Sequence, residues 1–164
     1  MRQLHPISPL YNKDSQVLIL GSFPSVKSRE QAFFYGHPQN RFWRVIAEVF
    51  ESPQPFTVEE KKRLILSNRL ALWDVIAECD ITGSSDSSIK NVVPNDIGKI
   101  ISDCDIKAIF VNGRTAEKYY IRYTEPIIGK KAICLPSTSP ANAAWSIERL
   151  CEKWKLLREY IDIL

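Results

Sequence analysis

No cysteine of this 164-residue chain sits in a CxxC pair; the four stand at positions 79, 104, 134 and 151. A zinc ribbon or a thioredoxin-type redox site needs closely spaced thiolates, so neither chemistry has support. Cys134 and Cys151 resemble half of an iron–sulfur ligand set, but the other half is absent. Cys104 and Cys134 fall in or beside apolar segments, where a thiol serves as a small hydrophobe, and free structural thiols are expected. No Walker-type loop, GxGxxG or Ser-His-Asp arrangement can be read in the chain. No apolar run approaches the roughly 20 residues of a membrane span. The opening Met1-Arg2-Gln3-Leu4-His5-Pro6 lacks the apolar stretch of a secretory signal. A cytoplasmic protein with no membrane partner is expected. Internal repeats, low-complexity tracts and linkers are also missing.

What is present is ordinary in bulk and unusual in detail. Apolar residues make up 45% and charged residues 25%, as in soluble globular chains. The length suits one core, so a single domain over 1–164 is expected. The net charge of +3 permits a nucleic-acid partner without demonstrating one. Val17-Leu18-Ile19-Leu20, ending at Gly21, reads as a strand buried on both faces. Phe42, Val45, Ile46, Val49 and Phe50 have helical spacing over 41–50, which Pro53 and Pro55 end. Thr57 with Glu60 reads as a capping box opening the next helix. Ala71-Leu72-Trp73 reads as a short strand and 82–88 as a polar loop. A helix runs from Asn95-Asp96-Ile97 to about Ser102. Ala108-Ile109-Phe110-Val111 is a strand, followed by the turn Asn112-Gly113-Arg114-Thr115 and a helix through Tyr120. Ala132-Ile133-Cys134-Leu135 is the last strand. A terminal helix over 146–163 carries Ile147, Leu150, Trp154, Leu157 and Ile161 on one face. Apolar strands alternating with helices predict a three-layer α/β/α sandwich around a short, mainly parallel four-stranded sheet.

In such sheets ligands bind beyond the carboxyl ends of the strands, and the unusual motifs lie just there. Gly21-Ser22-Phe23-Pro24-Ser25 follows the first strand, Asn112-Gly113-Arg114-Thr115 the third, and Pro136-Ser137-Thr138-Ser139-Pro140 the fourth. Taken alone, the first is also compatible with a plain strand-to-loop turn and the second with a simple cap. The third offers hydroxyls and backbone N–H groups suited to a phosphate, or is a solvated loop. Between them stands Phe33-Phe34-Tyr35-Gly36-His37-Pro38-Gln39-Asn40-Arg41-Phe42-Trp43. Five aromatics with one His, one Asn and one Arg suit a pocket that stacks a flat ring, such as a nucleobase, and bonds its edge; Asn and Arg are costly to bury without partners. Phe42 and Trp43 belong to the core face of the next helix. Asn40 is either a bare N-cap or an amide facing a pocket. His37 is either a buttress or a participant. Asp86 and its serines either order their loop or contact a ligand.

The order GSFP…FFYGHPQNRFW…ALWDVI…GSSDSSI…VNGRTA…LPSTSPAN resembles the uracil-DNA glycosylase superfamily, and within it the hypoxanthine-DNA glycosylase (DNA-deoxyinosine glycosylase) branch, from about residue 17 to 145. The resemblance implies a compact α/β/α monomer. It would hydrolyse the N-glycosidic bond of a deaminated base in DNA, hypoxanthine first, leave an abasic site for base excision repair, and need no metal or cofactor. Mismatch-specific members carry a catalytic Asn two residues after the Gly of the first motif, where this chain has Phe23; the hypoxanthine branch uses the Asn of HPxNRFW, here Asn40. The resemblance therefore assigns catalysis to Asn40, with His37 a lesser candidate. It places a base pocket at Gly21, Ser22, Phe23, Pro24, Ser25, Phe34 and Tyr35, with Tyr35 stacking on the base. DNA contacts are implied at Ser137, Thr138, Ser139, Pro140, Asn142 and Arg114. A glycosylase for uracil or a broad range of deaminated bases, a non-catalytic module binding damaged DNA, and an unrelated nucleotide-binding α/β protein are the other readings.

Overall fold

Alternate residues of the strand at 17–21 enter opposite cores: Val17 and Ile19 join one hydrophobic cluster, Leu18 and Leu20 the other, and all four are fully buried. The computed structural model describes residues 1–162. Its first strand, β1 (Arg2–Leu4), is followed by β2 (Val17–Gly21), α1 (Val26–Gln31), α2 (Phe42–Val49), α3 (Val58–Ser67) and β3 (Leu70–Asp74). Next come β4 (Ile76–Asp80), β5 (Lys90–Pro94), α4 (Ile97–Asp103), β6 (Ala108–Asn112) and α5 (Arg114–Tyr119). The chain finishes with α6 (Glu125–Ile128), β7 (Ile133–Leu135) and α7 (Ile147–Trp154). The central sheet has the order β3-β2-β6-β7 and is parallel throughout. Phe42, Val45, Ile46 and Val49 of α2 and Leu150 and Trp154 of α7 cover one face; Ile97 and Ile100 of α4 and Ala116 and Tyr119 of α5 cover the other. Burying each large strand residue contributes about 1.5–3 kcal/mol, which is why the run Val-Leu-Ile-Leu needs helices on both sides. The three-layer sandwich agrees with the sequence reading.

Thr57 and Glu60 form the expected capping box at α3. Three features differ from expectation. β1, β4 and β5 make a second, antiparallel sheet. Its strands lack a period-2 signature because the register shifts on both sides of Glu78, and only Ile76 and Cys79 of β4 are buried. The helix starting at Arg114 does not stop at Tyr120: a π-helical turn over Tyr120–Thr124 leads into α6, which ends at Gly129 in the left-handed region. Its run of aromatic and β-branched residues hides helix from a propensity reading. The terminal helix, expected over 146–163, is α-helical only to Trp154 and continues as a 3₁₀ stretch, Lys155–Tyr160. The apolar stripe survives that change because both helix types return a side chain to the same face every three to four residues; the expected end at Ile163 lies outside the described residues. All four cysteines are free. Burial pushes the Cys151 thiol up to about 11, which suits a packing role rather than a nucleophilic one. Among the described residues, no helix is long and apolar enough to cross a membrane.

Candidate active site

Register brings the strand ends together. Gly21 pairs with Asp74 across β2 and β3, and Asn112 with Leu135 across β6 and β7. The loops leaving these ends enclose a cleft of about 1050 Å³. Gly21, Ser22, Phe23, Pro24 and Ser25 line it, as do Phe34, Tyr35, His37, Asn40, Arg114, Ser137, Thr138, Ser139, Pro140 and Asn142. Every residue that the sequence assigned to catalysis, the base pocket or DNA contact thus lines one cavity. The loop at Ser84, Ser85, Asp86 and Ser87 closes one side. Burial raises the Asp86 carboxyl above its ordinary range, partly offset by a hydrogen bond with Thr115.

Asn40 is not the N-cap residue of α2, a position held by Arg41 without a side-chain bond. Its carboxamide oxygen nevertheless accepts from the Phe42 N–H at 2.9 Å, capping the helix from one residue upstream. The same Oδ1 accepts from the Thr138 hydroxyl at 2.9 Å. Thr138 Oγ1 in turn accepts from Asn112 Nδ2 at 3.0 Å, while Asn112 Oδ1 accepts from the Thr138 N–H at 3.1 Å. A carboxamide oxygen has two lone pairs, and both are engaged. The orientation of the Asn40 amide is therefore dictated by its donors. Its Nδ2 group, with no partner among the described residues, is what Asn40 offers to a ligand. Thr138 is fully buried, and its N–H, carbonyl and hydroxyl are all committed inside the protein. That leaves it no group for a phosphate, contrary to the contact implied from sequence: the loop carries it inward because it braces Asn40.

Tyr35 adopts φ 52°, a left-handed conformation that costs an L-residue roughly 1–2 kcal/mol. Its ring stacks on Phe42 with centroids 3.9 Å apart and planes 17° apart, so the core occupies one face. Burial, with the nearby Asp74 charge, raises its phenol well above the usual tyrosine range. Phe34 is core, and its carbonyl accepts from the Trp43 indole. Phe23 lies edge-on to His5 and beneath the Arg29 guanidinium, 5.4 Å from its centroid. His37 Nδ1 accepts from the Gln39 N–H at 3.1 Å, a local turn bond. Gly113 has φ 94°, and a Cβ there would stand 2.9 Å from that of Ser137, so the two loops touch at a point where only glycine fits.

Sequence reasoning gave no individual role to four residues, although Asn112 and Arg41 lie in motifs it singled out. Asp74 ends β3 in the cleft and is 6% exposed at its side chain; its Oδ2 meets His5 Nε2 at 2.7 Å. Asn112 is the anchor of the Asn40 network. Arg41 sends its guanidinium to the carbonyls of Trp145, Ser139 (2.9 Å) and Asn142 (3.0 Å), tying down the loop after β7. Asp74 and Asn112 could have been flagged as polar residues at strand carboxyl ends. His5 carries no such signal, and Arg41 carries only the general one that an Arg within an aromatic cluster needs partners. Arg41→Ala leaves those carbonyls without their donor. We expect a loss of about 1–3 kcal/mol in denaturant unfolding and new protease cleavage within 139–145; an unchanged midpoint and a resistant loop would contradict the brace.

A family model described as the Uracil DNA glycosylase superfamily matches residues 8–160. The chain is 34% identical over 146 residues to a protein named hypoxanthine DNA glycosylase from Methanosarcina acetivorans, a match spanning 86% of this chain and 89% of that one. A protein of the same name from Methanosarcina barkeri is 31% identical over 140 residues, covering 82% and 85%. The fold matches, at a TM-score of 0.82 and 30% identity, the solution NMR structure of a Methanosarcina acetivorans chain provisionally described as a uracil DNA glycosylase, covering 98% of this chain and 99% of that one.

Proposed function

The chain belongs to the uracil DNA glycosylase superfamily, and from that premise we propose that it excises hypoxanthine from DNA by hydrolysing the bond between the base and C1′. The observation that carries this reading is the Asn40 amide, held by two donors at the carbonyl end and, among the described residues, unpaired at its nitrogen in a cleft at the strand ends. The two relatives named hypoxanthine DNA glycosylase support the choice of base.

A base stacked in a duplex is out of reach and must be flipped out at a cost of a few kcal/mol, lower for a weakly paired lesion. The outer face of Tyr35 receives the extruded ring. As the glycosidic bond breaks, its electron pair moves onto the base and positive charge develops on the sugar, as in other glycosyl hydrolysis. Water then attacks C1′ and gives up one proton, and the departing base anion takes up one; an abasic site and the neutral free base result. With Oδ1 saturated, Asn40 acts as a donor: Nδ2 bonds an acceptor atom of the departing base as negative charge gathers there. Backbone N–H groups at Ser22 and Phe23 serve the same end. This is preorganised stabilisation of the oxyanion-hole kind, worth about 100–1,000-fold in rate per donor. Ser137, Ser139, Pro140, Asn142 and Arg114 lie at the rim and contact the strand. The active form we propose is a monomer, as the resemblance to the superfamily implies.

The test is a set of labelled duplexes, each carrying one hypoxanthine, uracil or xanthine. Excision fastest at hypoxanthine is expected. Tight binding to every lesion with no abasic product would contradict the assignment and favour a non-catalytic binding module.

A further inference from the structure

Val75 is the single residue between β3 and β4, where the chain leaves the parallel sheet for the antiparallel one. Its N–H donates to the Gly21 carbonyl at 2.8 Å, and the Ile76 N–H donates to the Ser22 carbonyl at 3.0 Å. Two consecutive carbonyls of the Gly21–Ser25 turn are thus drawn to two consecutive N–H groups, both on fully buried residues. In these trans peptides each N–H points opposite to its C=O. The N–H groups of Ser22 and Phe23 are therefore turned away from 75–76 together, and neither has a partner among the described residues. Both residues line the cleft. Adjacent N–H groups turned the same way favour an anion.

Asn95 is what fixes Val75 and Ile76. It directly follows β5, whose Pro94 pairs with Ile76. The Asn95 N–H donates to the Val75 carbonyl at 2.8 Å. Its Nδ2 donates to the carbonyls of Asp74 (2.9 Å) and Ile76 (3.2 Å). A carboxamide nitrogen carries two hydrogens, so both are used. One residue grips three successive carbonyls, and 75–76 cannot rotate without breaking those bonds. The antiparallel sheet, which no periodicity announced, brings that residue to the strand ends.

We propose that Asn95 is the positioning residue for the donor pair at Ser22 and Phe23, acting through the main chain of Val75 and Ile76. The inference rests on the glycosylase reading above, in which those N–H groups face the charge gathering on the departing base. Asn95 itself stands outside the cleft lining, and no side chain of β3 enters the relay. Its work is to hold the carbonyls of Gly21 and Ser22, so that the opposite ends of both peptides are in place before charge develops. Donors that need no reorganisation are the ones that lower a barrier. A displacement near 1 Å can cost about 100-fold in rate.

The experiment uses the full chain and compares Asn95→Ala with the wild type. Cys79→Ala, at a fully buried position of β4 outside the relay, controls for lost stability. Two readouts are taken. The first is NMR of the Ser22 and Phe23 amide protons, free and bound to a duplex carrying a slowly cleaved 2′-fluoro inosine. The second is single-turnover excision of hypoxanthine and of 2-fluorohypoxanthine, a better leaving group because fluorine withdraws electrons. Both amide protons should move downfield when the wild type binds, and this shift should largely vanish in Asn95→Ala. The maximal rate at hypoxanthine should fall roughly 10–100-fold, with DNA affinity unchanged and a smaller loss at the fluorinated base. Should Asn95→Ala not fold, Asn95→Ser, which keeps one side-chain donor, takes its place with the same expectations. Amide protons unmoved in the wild type, wild-type shifts in the folded variant, equal losses at the two bases, or the same losses in Cys79→Ala would each overturn the proposal. Failure of the wild type to excise would overturn the glycosylase reading instead, and the amide shifts would still decide whether Asn95 sets the donor pair.

Discussion

Asn40→Asp should keep the fold and lose at least about 100-fold of excision. The aspartate is nearly isosteric, and its oxygen can accept from the Phe42 N–H and the Thr138 hydroxyl just as Oδ1 does now. Helix α2 keeps its cap and the Asn112–Thr138 bridge keeps its end point, so thermal unfolding should shift little. What disappears is the NH₂ donor, replaced by an oxygen whose charge opposes that of the departing base. Asn40→Ala is the blunter variant: it should lose comparable activity and also roughly 1–3 kcal/mol of stability, because two bonds inside the protein go with it. The pair separates a donor role from a scaffolding role. If Asn40→Asp unfolded as early as Asn40→Ala, or kept near-wild-type excision, the donor assignment would fail.

Gly21→Ala should be nearly as damaging for a different reason. The added Cβ would sit 2.4 Å from Asp74 Oδ1, a separation that two such atoms cannot hold. Either Asp74 swings away and strains its bond to His5, or the end of β2 shifts and carries Ser22 and Phe23 with it. Overpacking of this kind costs typically about 1–3 kcal/mol. A displacement near 1 Å in a catalytic cleft can cost about 100-fold in rate. Loss of excision with a modest drop in unfolding midpoint is expected; wild-type excision would mean that the approach of Gly21 to Asp74 has no part in the chemistry.

The contrast between Asn40 and Asp74 shows what the chain discloses on its own. The parallel sheet was legible because continuous apolar runs such as Val17-Leu18-Ile19-Leu20 have few alternatives. Once it was placed, the loops at the strand ends fell into one cleft. Asn40 stood out because an amide within an aromatic cluster is unusual. Its resemblance to a known motif was sharper than any periodicity. The antiparallel sheet was not legible, since its strands are half-exposed and interrupted near Glu78. The Asp74–His5 pair joins residues 69 positions apart, and nothing in the sequence marks the two as partners. Thr138 was read outward because serine and threonine loops so often face solvent. Its burial is decided by Asn112 and Asn40, two partners that only the folded strand ends bring within reach. The partners of Arg41 were hidden likewise, as its three carbonyl acceptors lie about a hundred residues away.

The most direct test of the central claim is an analysis of products. Wild-type protein is incubated in excess with a duplex carrying a single hypoxanthine, and strand and small molecules are weighed by mass spectrometry. The account predicts free hypoxanthine in amounts equal to an unbroken strand bearing one abasic site, and neither product with Asn40→Asp. An intact hypoxanthine strand held in a tight complex with the wild type, or the same products released by Asn40→Asp at the wild-type rate, would contradict it.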